Sequence, residues 1–127
     1  MNVFVYGTLM KGCRNHRLLI NEKFIGEGKI QNYGLYNVTS SYPGVILKDG
    51  ASVLGGIYDV SKKTLEKLDQ LEGEGSLYIR RAVSVETANG AMEAYTYLWN
   101  RTVNEQDYVD IRELPWRPYE KKVRGYI

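Results

Sequence analysis

Short runs of β-branched and aromatic residues, broken by glycines, fill most of the chain, and a single stretch carries leucines at helical spacing. The first run, "NVFVYG", stops at Gly7 and predicts a central strand. In "TLMKGCRNHRLLI", Asn15 stands where it can cap a short helical turn bearing Leu18 and Leu19. From "KFIGEGKI" to "YGLYNV" the β-formers are interrupted by Gly26, Gly28 and Gly34, the pattern of curved or bulged strands. "SSYPG" predicts a turn, because Gly44 follows Pro43 and can take positive φ. "VLGGIYDV" predicts another strand, whose double glycine marks a kink or a close backbone approach. Ser61 is placed to cap a helix over residues 62–71, and Gly73 ends it. "YIRRAVSVETANGAMEAYTYLW" predicts a hairpin around Asn89-Gly90, a dipeptide favoured in type I′ turns. The tail from Glu113, with Pro115 and Pro118, predicts an irregular wrap around the domain.

Closely spaced strands with glycine kinks and one clear helix favour an α+β fold: a small, strongly coiled sheet or β-barrel with one main helix and short flanking helices. Its 127 residues suit one domain over positions 1–127. Most of the eleven tyrosines are expected to pack rather than to react.

Charge removes several function classes. A net charge of +2 is too small to imply nucleic acid or an anionic membrane as partner, and the basic residues are dispersed apart from a short run near the C-terminus. No apolar run reaches the roughly 18 residues of a membrane span. The N-terminus does not look like a secretory signal, and with one cysteine no internal disulfide forms. A cytoplasmic protein is the expectation. Cys13 and His16 are too few for a structural zinc site, so no metal is expected. A small residue beside a surface histidine is favoured over a Cys–His nucleophile pair.

Two stretches carry candidate chemistry. "YGTLMKGC" fails as a phosphate loop, because Cys13 and Arg14 follow Gly12 where Lys and Ser or Thr are needed, and it lacks the dinucleotide glycine spacing. It is still able to expose successive backbone N–H groups as an anion-binding nest, with Gly7 allowing close approach and Thr8 offering a hydroxyl. The alternative is a plain strand-ending turn. In "KLDQLEGEG", at about 100° per residue, Glu72 falls between the directions of Leu65 and Leu68. That acid is solvated at the helix end, paired with Arg80 or Arg81, or lining a cavity as a general acid–base. Burial and the negative end of the helix would both raise its pKa, while Glu74 is expected to face solvent.

These segments together resemble the γ-glutamylcyclotransferase-like superfamily, in its short branch that includes γ-glutamylamine cyclotransferases. "VFVYGTL", "YPG", "VLGGIYDV" and "LDQLEG" followed by "YIRRAV" recur in that family's order and at similar spacing, over most of residues 3–99. The resemblance implies a small β-barrel with a cavity beside the loop after the first strand. It places the family's essential glutamate on Glu72 and its substrate loop on Tyr6, Gly7, Thr8 and Leu9, with Tyr78 matching a frequent downstream tyrosine. One departure is visible: Gly56 stands where many members carry glutamate. The implied reaction converts a γ-glutamyl amine or amide into 5-oxoproline and the free amine, on a small-molecule substrate, with no cofactor. A non-catalytic binding domain on the same fold is the alternative, and the leaving amine and the oligomeric state are left open.

Overall fold

The computed structural model describes residues 1–118. The elements run β1 (Asn2–Val5), β2 (Lys23–Tyr36), β3 (Gly44–Asp59), α1 (Lys62–Glu72), β4 (Tyr78–Thr87), β5 (Gly90–Trp99) and β6 (Tyr108–Val109). Short 3-10 turns lie at His16–Leu19, Glu105–Asp107 and Ile111–Glu113. The strands join in the order β3-β1-β5-β4-β2, and β2 pairs with β3 again, so five strands close a barrel. β6 extends β2 beyond that ring. Every neighbour is antiparallel except β1 and β5, which run parallel with Val3 opposite Tyr95.

The core is what strand alternation delivers: Val3, Ile30, Val53, Ile57 and Val85 are wholly removed from water, and Leu68 from α1 joins them. Glycine supplies the curvature. Gly26 sits at a register shift in β2 with φ 155°. At Gly55 a Cβ would strike the Val5 carbonyl oxygen and lie 2.8 Å from Phe4 Cζ, so the double glycine lets β3 press against β1.

Several elements differ in detail from the sequence reading. β3 begins at Gly44, directly after the Tyr42-Pro43 turn, so β2 and β3 form one long hairpin with Tyr36 opposite Gly44 and Lys23 opposite Asp59. The β4–β5 turn lies one residue earlier than expected. Ala88 and Asn89 connect the strands, Gly90 alone takes positive φ (106°), and Thr87 Oγ1 donates to Gly90 O. A type I′ turn needs positive φ at both central residues, and Asn89 does not have it. In the tail, Trp116 is buried and its Nε1–H donates to Asn37 Oδ1 at 2.7 Å. The basic run near the C-terminus and the rest of the predicted wrap lie outside the described residues. Among those described, no helix is long and apolar enough to cross a membrane.

Candidate active site

Local chemistry fixes where α1 stops and what it aims inward. Ser61 Oγ accepts the Thr64 N–H at 3.1 Å at its start. Gly73 ends it in the left-handed region (φ 62°, ψ 46°), where a Cβ is unfavourable, and the Glu74 N–H reaches back to Asp69 O at 3.0 Å. The helix thus runs one residue further than the predicted 62–71, and Glu72 is its last residue. Its inward face is Leu65 and Leu68, both buried, and then Glu72, half-buried, at i, i+3 and i+7. Leu71 is 40% exposed. The third inward position of the stripe is therefore the acid.

Glu72 lines a cavity of about 160 Å³, together with Tyr6, Gly7, Thr8, Leu9 and Tyr78. All six residues singled out in the sequence border this one space. Burial pushes the Glu72 carboxyl up from 4.5 to about 7. Among the described residues no cation pairs with it. Arg80 instead binds Asp69 at 2.9 Å, and Arg81 donates to the Arg80 carbonyl. Glu74 is exposed and accepts the Arg80 N–H. Glu72 thus lines a cavity and, among the described residues, is not paired with Arg80 or Arg81.

The tyrosines are arranged as acceptors. Tyr78 OH donates to Pro43 O at 2.6 Å, and Tyr6 OH donates to Tyr97 O. Burial, with Glu72 adding to it, holds the Tyr78 phenol far above its ordinary value; burial and then the neighbouring Tyr78 do the same at Tyr6. Both phenols stay neutral with their protons committed to main-chain carbonyls. What they turn to the cavity is lone pairs. The opposite polarity comes from the loop after β1. Gly7, Thr8 and Leu9 are buried, and among the described residues their N–H groups have no protein partner. Gly7 is required there, since a Cβ would sit 2.8 Å from Pro43 Cγ. The cavity lining thus combines a carboxylate and phenolic oxygens with backbone donors, which matches the ammonium and carboxylate of an amino-acid end.

Sequence reasoning missed the residues that hold this loop. Asn15 does not cap the 3-10 turn; its Nδ2 donates to Thr8 Oγ1 at 2.9 Å, and its backbone N–H to Thr8 O at 3.0 Å. His16 is half-buried rather than on the surface, with its ring nitrogen Nδ1 donating to Leu9 O at 2.9 Å. Cys13 is buried and free. Tyr97 also lines the cavity, and its OH donates to Asp69 Oδ1 at 2.6 Å. Strand alternation could have flagged Tyr97 as inward, but that its neighbour is β1 is visible only in the folded chain. Gly56 borders a separate, larger cavity of about 610 Å³ with Met10, His16, Phe24 and Tyr58. The residue that departs from the family pattern thus does not face Glu72. Among the described residues, no three His, Cys, Asp or Glu side chains gather as a metal site.

Residues 3–118 match the family described as gamma-glutamyl cyclotransferase, AIG2-like. The chain belongs to this family. A Methanocaldococcus jannaschii relative, named provisionally as a gamma-glutamylcyclotransferase, is 39% identical over 118 residues, or 87% of this chain and 97% of its own length. The gamma-L-glutamyl-butirosin B gamma-glutamyl cyclotransferase of Niallia circulans is 32% identical over 124 residues, or 93% of this chain and 76% of that protein. The crystal structure of an AIG2-like protein from Mus musculus superposes with a TM-score of 0.75, covering 99% of this chain and 92% of that one at 24% identity, a likeness of fold. Family and relatives together support a gamma-glutamylcyclotransferase-type function for this AIG2-like chain.

Proposed function

We propose that this chain converts a γ-glutamyl amine or amide into 5-oxoproline and the free amine, with Glu72 as the general acid–base. The observation that carries the reading is one cavity in which a carboxyl held near pKa 7 meets buried loop N–H groups that have no partner among the described residues. The substrate's α-amine attacks its own γ-carbonyl carbon, a C–N bond closes a five-membered ring, and the bond to the leaving amine breaks. Both reacting groups belong to one molecule, so the protein's task is to fold the substrate and to move a proton. Orientation of this kind contributes several kcal/mol, up to about 7–11 in the best intramolecular cases.

The proton balance needs a single carboxylate. Ionised Glu72 takes one proton from the α-ammonium as attack begins and gives it to the departing nitrogen. The second proton, shed by the ring nitrogen as it becomes the lactam N–H, passes by the same carboxylate to the freed amine. That amine leaves as an ammonium, and Glu72 ends ionised. A pKa near working pH keeps both transfers close to even. The lone pairs of Tyr6 and Tyr78 hold the ammonium before deprotonation, and the N–H groups of Gly7, Thr8 and Leu9 receive the α-carboxylate or the developing oxyanion. The Niallia circulans relative, named for a γ-L-glutamyl-butirosin B substrate, supports a γ-glutamyl amide as the reacting class.

The test is release of 5-oxoproline from γ-glutamyl amino acids and amines by wild type and by Glu72→Gln. Gln keeps the shape and removes the base, so kcat should fall by roughly 10²–10⁴ in a folded variant. Turnover retained in Glu72→Gln would remove Glu72 from the chemistry. Ligand binding without product from wild type would leave a binding domain.

A further inference from the structure

We infer that Arg14 selects the leaving half of the substrate, favouring leaving amines that carry a carboxylate, as an amino acid or peptide does, over neutral or cationic ones. This rests on the cyclotransferase reading of the Glu72 cavity. The α-amine and α-carboxylate of a γ-glutamyl group share one carbon. If the amine meets Glu72, the α-carboxylate must stay at the same buried end, within reach of the loop N–H groups. Closing the ring brings the γ-carbonyl to that end as well. The only part of the substrate free to project is the substituent on the departing nitrogen, and it points to the open side of the cavity.

Toward solvent, the lining includes Arg14, Tyr42, Leu71 and Leu77, none of them fully buried. Arg14 and Leu71 are exposed, while Tyr42 and Leu77 are half-buried. Arg14 is the one charged group among these four. Its guanidinium is not loose: Nη1 donates to Ser41 O at 3.0 Å, which ties the β1 loop side of the cavity to the turn carrying Tyr42 and Pro43. Among the described residues this is its one hydrogen bond, which leaves most of the guanidinium's five N–H donors for a ligand. A planar fork anchored at a cavity mouth suits a carboxylate in two-point contact and repels an ammonium in the same place. The apolar Leu71 and Leu77 beside it suit the carbon skeleton between the departing nitrogen and that carboxylate.

The experiment compares kcat/KM for γ-glutamyl-alanine, γ-glutamyl-alaninamide and the mono-γ-glutamyl conjugate of ethylenediamine, in wild type, Arg14→Gln and Arg14→Lys. The three substrates share the reacting half, and their leaving halves carry a negative, a neutral and a positive group; the alanine and alaninamide substrates share one skeleton and differ mainly in charge. Wild type should prefer the alanine substrate over its amide by roughly five-fold, a partly exposed ionic contact, and should turn over the ethylenediamine conjugate least. Arg14→Gln should bring the alanine-to-alaninamide ratio to about one, and Arg14→Lys should retain part of it. Arg14 is exposed, so both variants should fold, and a melting curve checks this. A wild-type ratio near one overturns the inference. So does an equal loss on all three substrates in Arg14→Gln, since that result assigns Arg14 to the α-carboxylate they share. No turnover of any of the three by wild type would instead overturn the cyclotransferase reading, and this inference with it.

Discussion

Replacing Glu72 by Gln should stabilise the protein above neutral pH and leave its stability near pH 4.5 almost unchanged. Burial raises this carboxyl from 4.5 to about 7, so the folded chain holds its proton more tightly than the unfolded chain does. For a group shifted in this direction, the stability it contributes is complete below the unfolded pKa. It is lost as pH rises toward and through the folded pKa. By pH 8 the loss reaches about 3 kcal/mol, the free-energy equivalent of the displacement from 4.5 to about 7. Glutamine occupies the same volume and stays neutral at every pH. The gain of Glu72→Gln over wild type should therefore be close to zero at pH 4.5, grow through pH 6, and level off near that value at pH 8. Urea unfolding at the three pH values measures it, with unchanged m-values as the check that only stability has moved. The difference between the two proteins isolates Glu72 from every other titrating group. Parallel stability–pH curves, or a variant less stable than wild type at pH 8, would show that the carboxyl is not held in a desolvated place. A gain of this size at the residue proposed as the general acid–base is what a functional site maintained at the expense of stability looks like.

The same carboxyl should govern the acid limb of the rate profile: kcat/KM should rise as pH passes through about 7, and a limb with its midpoint below pH 5 would exclude Glu72 as the base. Gly7→Ala places a Cβ 2.8 Å from Pro43 Cγ and 3.0 Å from Cδ, on the residue whose carbonyl holds Tyr78. It should cost about 1–3 kcal/mol of stability and lower kcat/KM beyond that effect, and unchanged melting with unchanged KM would refute the close approach. Asn15→Ala removes the 2.9 Å bond to Thr8 Oγ1 and should raise KM several-fold for about 1 kcal/mol of stability, read by steady-state kinetics beside thermal melts.

What could be read from the chain follows the range of the forces involved. α1 was legible because everything that makes it is local: Ser61, the Leu65–Leu68 spacing and Gly73. The same helical angle placed Glu72 between two buried leucines, and that is where its side chain enters the cavity. Leu71 continues the leucine spacing of Leu65 and Leu68, yet it lies on the shoulder of that face and is exposed where it lines the cavity. The hairpin of β4 and β5 was visible, but its turn was not, since Asn89-Gly90 signals a turn centred on those two residues and here the central pair is Ala88-Asn89, with Thr87 opposite Gly90. The β1 loop was legible through Gly7 and through the resemblance. Its supports were not: Asn15 was read for the turn it precedes, while its side chain reaches back to Thr8. Pro43, Tyr97 and Arg14 reach the site through pairings that join distant parts of the chain, and hydrophobic periodicity carries no record of those.

The position of β1 has a consequence for how the chain comes off the ribosome. Its Val3, Phe4 and Val5 are built for burial, yet they lie between β3 and a strand that is made last of the five: Thr96 Oγ1 donates to Phe4 O across 92 residues of sequence. Until β5 has emerged, one edge of β1 is bare and the wall formed by Tyr6 and Tyr97 does not exist. The two hairpins, β2 with β3 and β4 with β5, are able to form as they appear, but the parallel seam must wait. A nascent chain stopped before β5 would carry an apolar, unpaired first strand and no pocket, the form most exposed to aggregation and most in need of a chaperone. Competence to bind substrate would then arrive in a single late step rather than accumulate during synthesis.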